Sequence, residues 1–78
     1  MGYRKRSAVE WFAELERIAR ERHNLSDDWV WMQAEWIGDR GKDGLRLTLG
    51  PAGQSGTRFP VMFTNAECDA AIWEDESC

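Results

Sequence analysis

Seventy-eight residues, 42% hydrophobic and 31% charged, have the size of one small domain, which buries only about 60% of the surface of its unfolded chain and so leans on large core side chains. Five Trp, three Phe and three Met can supply them. A formal charge of −4, from 14 acidic and 10 basic residues, argues against general affinity for nucleic-acid phosphate; two cysteines without a CxxC pair argue against a zinc site.

Residues 1–6 hold Arg4, Lys5 and Arg6 without periodicity and are expected to form a basic, flexible arm, with residues 7–78 as a single domain. Ser7 to Glu10 matches a capping box and opens a helix. Its apolar residues, Ala8, Trp11, Phe12, Leu15, Ile18 and Ala19, fall on one stripe, and Glu16 with Arg20 makes a favourable i, i+4 pair. Arg20, Arg22 and His23 suit the negative end of the helix dipole; Asn24 can take the left-handed conformation that stops the helix, with Leu25 folding back.

The stretch from Asp28 to Ile37 carries three of the tryptophans. It reads as the central strand of a small sheet, because Trp29-Val30-Trp31 is a run of β-formers. The competing reading is a helix capped by Ser26-Asp27-Asp28 and ended at Gly38. A period of two puts Val30, Met32, Ala34 and Trp36 on the core face and Trp29, Trp31, Gln33 and Glu35 on the other.

Gly38 to Gly44 is a hairpin loop by composition. Arg40 and Lys42 within it are able to touch a phosphate or a carboxylate, although a plain hairpin loop is the preferred reading. Leu45, Leu47 and Leu49 alternate with Arg46 and Thr48, the pattern of a strand with one buried face. After a flexible turn over residues 50–56, Thr57 to Phe63 forms a third strand with Phe59, Val61 and Phe63 inward, and Pro60 makes it an edge. Thr64 to Glu67 repeats the capping box, so a second helix is expected from Asn65 to Trp73 or Glu74. The fold class is therefore α+β: helix, three-stranded antiparallel meander, helix (αβββα), with both helices on one face of the sheet.

No constellation of catalytic residues accompanies this fold. His23 is the sole histidine and has no evident partner for acid–base or metal chemistry. Asp27-Asp28 and Glu74-Asp75-Glu76 read as a cap and a solvated tail. The glycine loops lack GxGxxG and GxxxxGK[ST], so a phosphate cradle is unsupported. Cys68, flanked by Glu67 and Asp69, reads as a packing cysteine; a bond from Cys68 to Cys78 is opposed by the ~15 Å rise of ten helical residues. No cofactor, metal or enzymatic activity is expected. No apolar core of a signal peptide is present and no apolar run approaches ~18 residues, so the expectation is a soluble, cytoplasmic chain with free thiols.

The feature left unexplained is the tryptophan content, since Trp and Arg are the residue types most enriched at binding hot spots. The expected partner-binding residues are Trp29, Trp31, Glu35, Arg46, Arg58 and Met62 on an open sheet face. An acidic carboxyl-terminal helix and tail, with Glu67, Asp69, Glu74, Asp75 and Glu76, is expected to add a negative patch free of compensating Lys or Arg.

The helix-strand-strand-strand-helix order and the length resemble the double-stranded RNA-binding domain. That family grips phosphates with a lysine-rich start to its second helix; Asn65, Ala66, Glu67, Cys68 and Asp69 stand here, so RNA binding does not carry over. A nucleic-acid binder using Arg4, Lys5 and Arg6 with stacking tryptophans is the alternative reading. In size, acidity and lack of an active site the chain is similar to small anti-CRISPR-type inhibitors of mobile elements. That resemblance implies stoichiometric, non-enzymatic inhibition by docking on a protein partner, such as a CRISPR effector or another nucleic-acid-binding complex, in the cytoplasm of a bacterial host.

Overall fold

The first helix starts where Ser7 accepts a hydrogen bond from the Glu10 amide at 3.3 Å and Glu10 accepts one from the Ser7 amide at 2.9 Å. In the computed structural model, which describes residues 2–53 and 56–75, this helix, α1, spans Ala8–His23. It follows a short strand, β1 (Tyr3–Lys5), and precedes β2 (Trp29–Ile37), a 3-10 turn (Asp39–Gly41), β3 (Gly44–Pro51), β4 (Phe59–Phe63), α2 (Asn65–Ile72) and β5 (Trp73–Asp75). The architecture is α+β, with two helices and five strands among the described residues.

Local signals place most of these elements. Asn24 adopts φ 55°, ψ 45° at the end of α1, and the Leu25 amide donates to the Arg20 carbonyl at 2.9 Å, which completes the left-handed stop. Thr64 and Glu67 form the second capping box. The stretch from Trp29 to Ile37 is a strand, which excludes the helical reading.

The three-stranded sheet is antiparallel in the order β2-β3-β4. The strand expected at its centre, β2, is an edge; β3 is central, because the first strand of a meander has only its successor to pair with. Leu45, Leu47 and Leu49 of β3 are buried and sit opposite Phe63, Val61 and Phe59 of β4. With Leu15 and Ala19 of α1 and Cys68 and Ala71 of α2 they form the core. Replacing bulk water by such contacts is worth ~25 cal/mol per Å² of apolar surface, so these residues dominate stability.

Along β2 the expected alternation holds from Gln33 onward and is reversed before it. Trp31 pairs with Leu49 and Gln33 with Thr48, leaving Met32 without a partner in a β-bulge. One extra residue reverses the parity of the strand. Trp29 and Trp31 therefore stand opposite Pro51 and Leu49, and Ala34 and Trp36 opposite Leu47 and Leu45, on the side that carries the core leucines. Trp29 and Trp31 do not belong to the open face, and Met32 does not belong to the core: its sulfur lies 2.8 Å from where a Cβ on Gly50 would stand.

Side chains of α1 cover the start of the outer edge of β2, at Trp29 and Trp31. Glu16 accepts from the Trp31 amide at 3.0 Å, Arg20 donates to the Trp29 carbonyl at 3.0 Å, and the two are ion-paired at 2.6 Å. Edge groups satisfied in this way are closed to strand addition.

The basic arm is also revised. Tyr3, Arg4 and Lys5 pair antiparallel with Asp75, Glu74 and Trp73 in a two-stranded ribbon. Helix α2 accordingly stops at Ile72, and Trp73 and Glu74 are strand rather than helix. Arg6 fastens this junction: its amide donates to the Ile72 carbonyl at 2.7 Å, and its guanidinium donates to the carbonyls of Ala71 at 2.7 Å and Trp73 at 3.0 Å. Those carbonyls would otherwise be left unsatisfied at a helix end.

Candidate functional site

The sheet carries one candidate surface on each side. On the face away from the core, Gly50 makes room for Met32 to lie over β3, since a Cβ there would also meet the Thr57 carbonyl at 2.7 Å. Arg58 then lies against Met32, its guanidinium 3.2 Å from the thioether sulfur and 3.2 Å from the Thr57 carbonyl. Arg46 stands between Glu35 of β2 and Met62 of β4 in the register of the sheet, and it is ion-paired with Glu35. Met32 is 37% exposed and Met62 49%. The structure thus brings Glu35, Arg46, Arg58 and Met62 together as expected, with Met32 in place of the tryptophans.

The tryptophans instead line the helix side. Trp31 stacks on Phe12, and Trp29 meets Phe59 edge to face at 6.2 Å. Trp36 stacks on Trp11 with centroids 6.2 Å apart, yet is 52% exposed. It forms the wall of a hollow of about 780 Å³ that is completed by Asp39, Arg40, Gly41, Lys42 and Asn65. A second hollow of about 380 Å³ shares Trp36 and Asn65 and continues past Trp11 to Lys5 and Asp69. Asn65 holds the loop in place: its side-chain Nδ2 donates to the carbonyls of Gly41 at 3.1 Å and Lys42 at 3.0 Å. In the sequence Asn65 reads only as the start of a helix and Trp36 only as core. The one local signal for the groove is the pair of cations in the glycine loop.

Among the described residues, two of the carboxyl-terminal acids are compensated by arginines. Glu67 is ion-paired with Arg22 and Glu74 with Arg4. The Glu67 carboxyl is held below its ordinary range first by the Thr64 amide and then by Arg22. Asp69 lines the second hollow and Asp75 lies in β5. Glu76 and Cys78 lie outside the described residues. The compensating arginines come from the amino-terminal half of the chain, which the local charge pattern does not show.

Cys68 and His23 both make packing contacts. Cys68 is buried, and burial, with the Glu67 charge, pushes its thiol above the ordinary value. His23 meets Phe59 at 4.9 Å between ring centroids. Among the described residues no group of three or more His, Cys, Asp or Glu is placed to hold a metal ion, and no helix is long and apolar enough to cross a membrane. No protein-family model, no curated protein and no solved structure matches this chain.

Proposed function

We propose that the chain is a non-catalytic docking module that binds a protein partner through the uncovered face of the β2-β3-β4 sheet, both helices lying on the other face of an αβββα layer pair. The observation that carries this reading is the pairing of two exposed methionines, Met32 and Met62, with Arg58 and the Glu35–Arg46 pair on one surface. Methionine adapts its shape to a partner, and arginine supplies directional hydrogen bonds where water is excluded. In a chain of this size such a surface suits stoichiometric occupation of a site on a larger complex, the mode of anti-CRISPR-type inhibitors, with a nucleic-acid-handling assembly of a bacterial host as the partner class.

The test uses three baits in a bacterial lysate: the native chain, Met62→Lys and Trp36→Ala, each first checked for folding by its melting curve. A partner retained by the native chain and by Trp36→Ala but lost with Met62→Lys supports the sheet face. Retention by all three removes it.

A further inference from the structure

We propose that the groove between the 38–43 loop and the start of α2 is a binding site for one nucleotide unit, a base stacked on Trp36 with its phosphate held by Arg40 and Lys42. The site lies on the helix side of the sheet and stands independently of the docking surface.

Charge sorting is the first argument. Arg4, Arg6, Arg17, Arg20, Arg22 and Arg46 are each ion-paired. Of the Lys and Arg residues without an ion pair among the described residues, Lys5, Arg40 and Lys42 all line the two connected hollows, and Arg58 alone lies elsewhere. Unpaired cations gathered around a concavity complement an anion.

The second argument is shape. A volume of about 780 Å³ falls within the range of ~300–1,000 Å³ for small-molecule sites, and the part of the half-exposed Trp36 indole that Trp11 and Gly41 leave uncovered offers a π surface on which a base can stack. The loop is held ready for the ligand: Arg40 sits at φ 56°, ψ 30°, a conformation a non-glycine residue seldom takes, and Asn65 fixes the two carbonyls that follow it.

The remaining polar groups add acceptors. Asp39 lines the first hollow and Asp69 the second; their charge weakens the attraction for any anion, whereas their oxygens accept from ribose hydroxyls or base amino groups, which an acidic peptide lacks. With a formal charge of −4, the chain has no general field for polyanions, so binding depends on this built site and not on overall charge.

The experiment follows the Trp36 indole and the Gly41 and Lys42 amides by ¹H–¹⁵N NMR during titration with adenosine monophosphate, adenosine, inorganic phosphate and a pentaadenylate RNA. Adenosine monophosphate is expected to shift these signals at concentrations about tenfold lower than adenosine or phosphate alone, the gain from joining stacking to charge. Tighter binding of the RNA identifies a single strand as the natural source, and weaker binding a free nucleotide. Arg40→Asn, which keeps a residue tolerant of the left-handed conformation, combined with Lys42→Gln should weaken binding about tenfold, while Met62→Lys leaves it unchanged. The proposal is overturned if no ligand moves Trp36 at millimolar concentration, if the double variant binds as the native chain does, or if a hexaglutamate peptide competes equally.

Discussion

The indole of Trp31 lies on the ring of Phe12, centroids 4.6 Å apart and planes 15° from parallel, so it joins the helix to the sheet. The ring is 38% exposed, and truncation forfeits the buried remainder. Trp31→Ala is expected to cost about 3 kcal/mol of folding stability in urea. A double-mutant cycle with Phe12→Ala should give a coupling of about 0.5–1.5 kcal/mol. An unchanged urea midpoint would return Trp31 to the class of free docking residues.

Leu47 is fully buried between Ala34 and Val61, whereas its neighbour Thr48 points to the other face, opposite Gln33 and Pro60. Leu47→Ala should lose ~2–5 kcal/mol, and Thr48→Ala less than about 0.5 kcal/mol. Equal losses at the two positions would contradict the register of β3.

Gly44 opens β3 at φ 104°, and a Cβ there would collide with the Phe63 carbonyl; Gly53 has φ 79° with nothing within 4 Å. Gly53→Ala should carry only the conformational cost of about 1 kcal/mol. Gly44→Ala must in addition displace the β4 backbone, and its melting temperature is expected to fall well below that of Gly53→Ala. Matching melting temperatures would show that the two strands are not held together at that point.

Three carboxyls tie stability to pH. Hydrogen bonds from Arg4 and then from the Ser7 amide hold Glu10 at about 2; Arg17 lowers Glu14, and the Thr64 amide lowers Glu67. Each binds its proton more weakly in the folded chain than in the unfolded one. Their contribution is therefore complete above the ordinary carboxyl value of about 4.5 and is lost on the acid side of it, that of Glu10 as the pH falls toward about 2. Urea midpoints recorded across that interval should decline steadily, and Glu10→Gln should flatten the decline. An acid slope unaltered in Glu10→Gln would exclude Glu10 as a contributor.

Elements specified by neighbouring residues are legible in the amino-acid sequence. Both capping boxes, the Asn24 stop, the leucine alternation of β3 and the edge position of Pro60 depend on groups within a few positions of one another, and the fold contains each of them. The open face is legible in part for the same reason: Arg46 and Met62 take their direction from β3 and β4, where the alternation is unbroken, and Arg58 stands immediately before β4.

Tertiary structure decided the rest. A bulge exists only relative to a partner strand, so the extra residue at Met32, which turns Trp29 and Trp31 to the side of the core leucines, could not be seen within β2 itself. The ribbon of β1 and β5 brings together Arg4 and Glu74, 70 positions apart, and Arg22 reaches Glu67 across 45 positions. Pairing over such separations is selected by what the folded core brings within reach, and among the described residues it leaves Lys5, Arg40 and Lys42 without an ion pair beside the hollows that Trp36 lines. The composition supplied the rings and charges; the chain's path through space determined which rings packed on the core and which cations line a hollow.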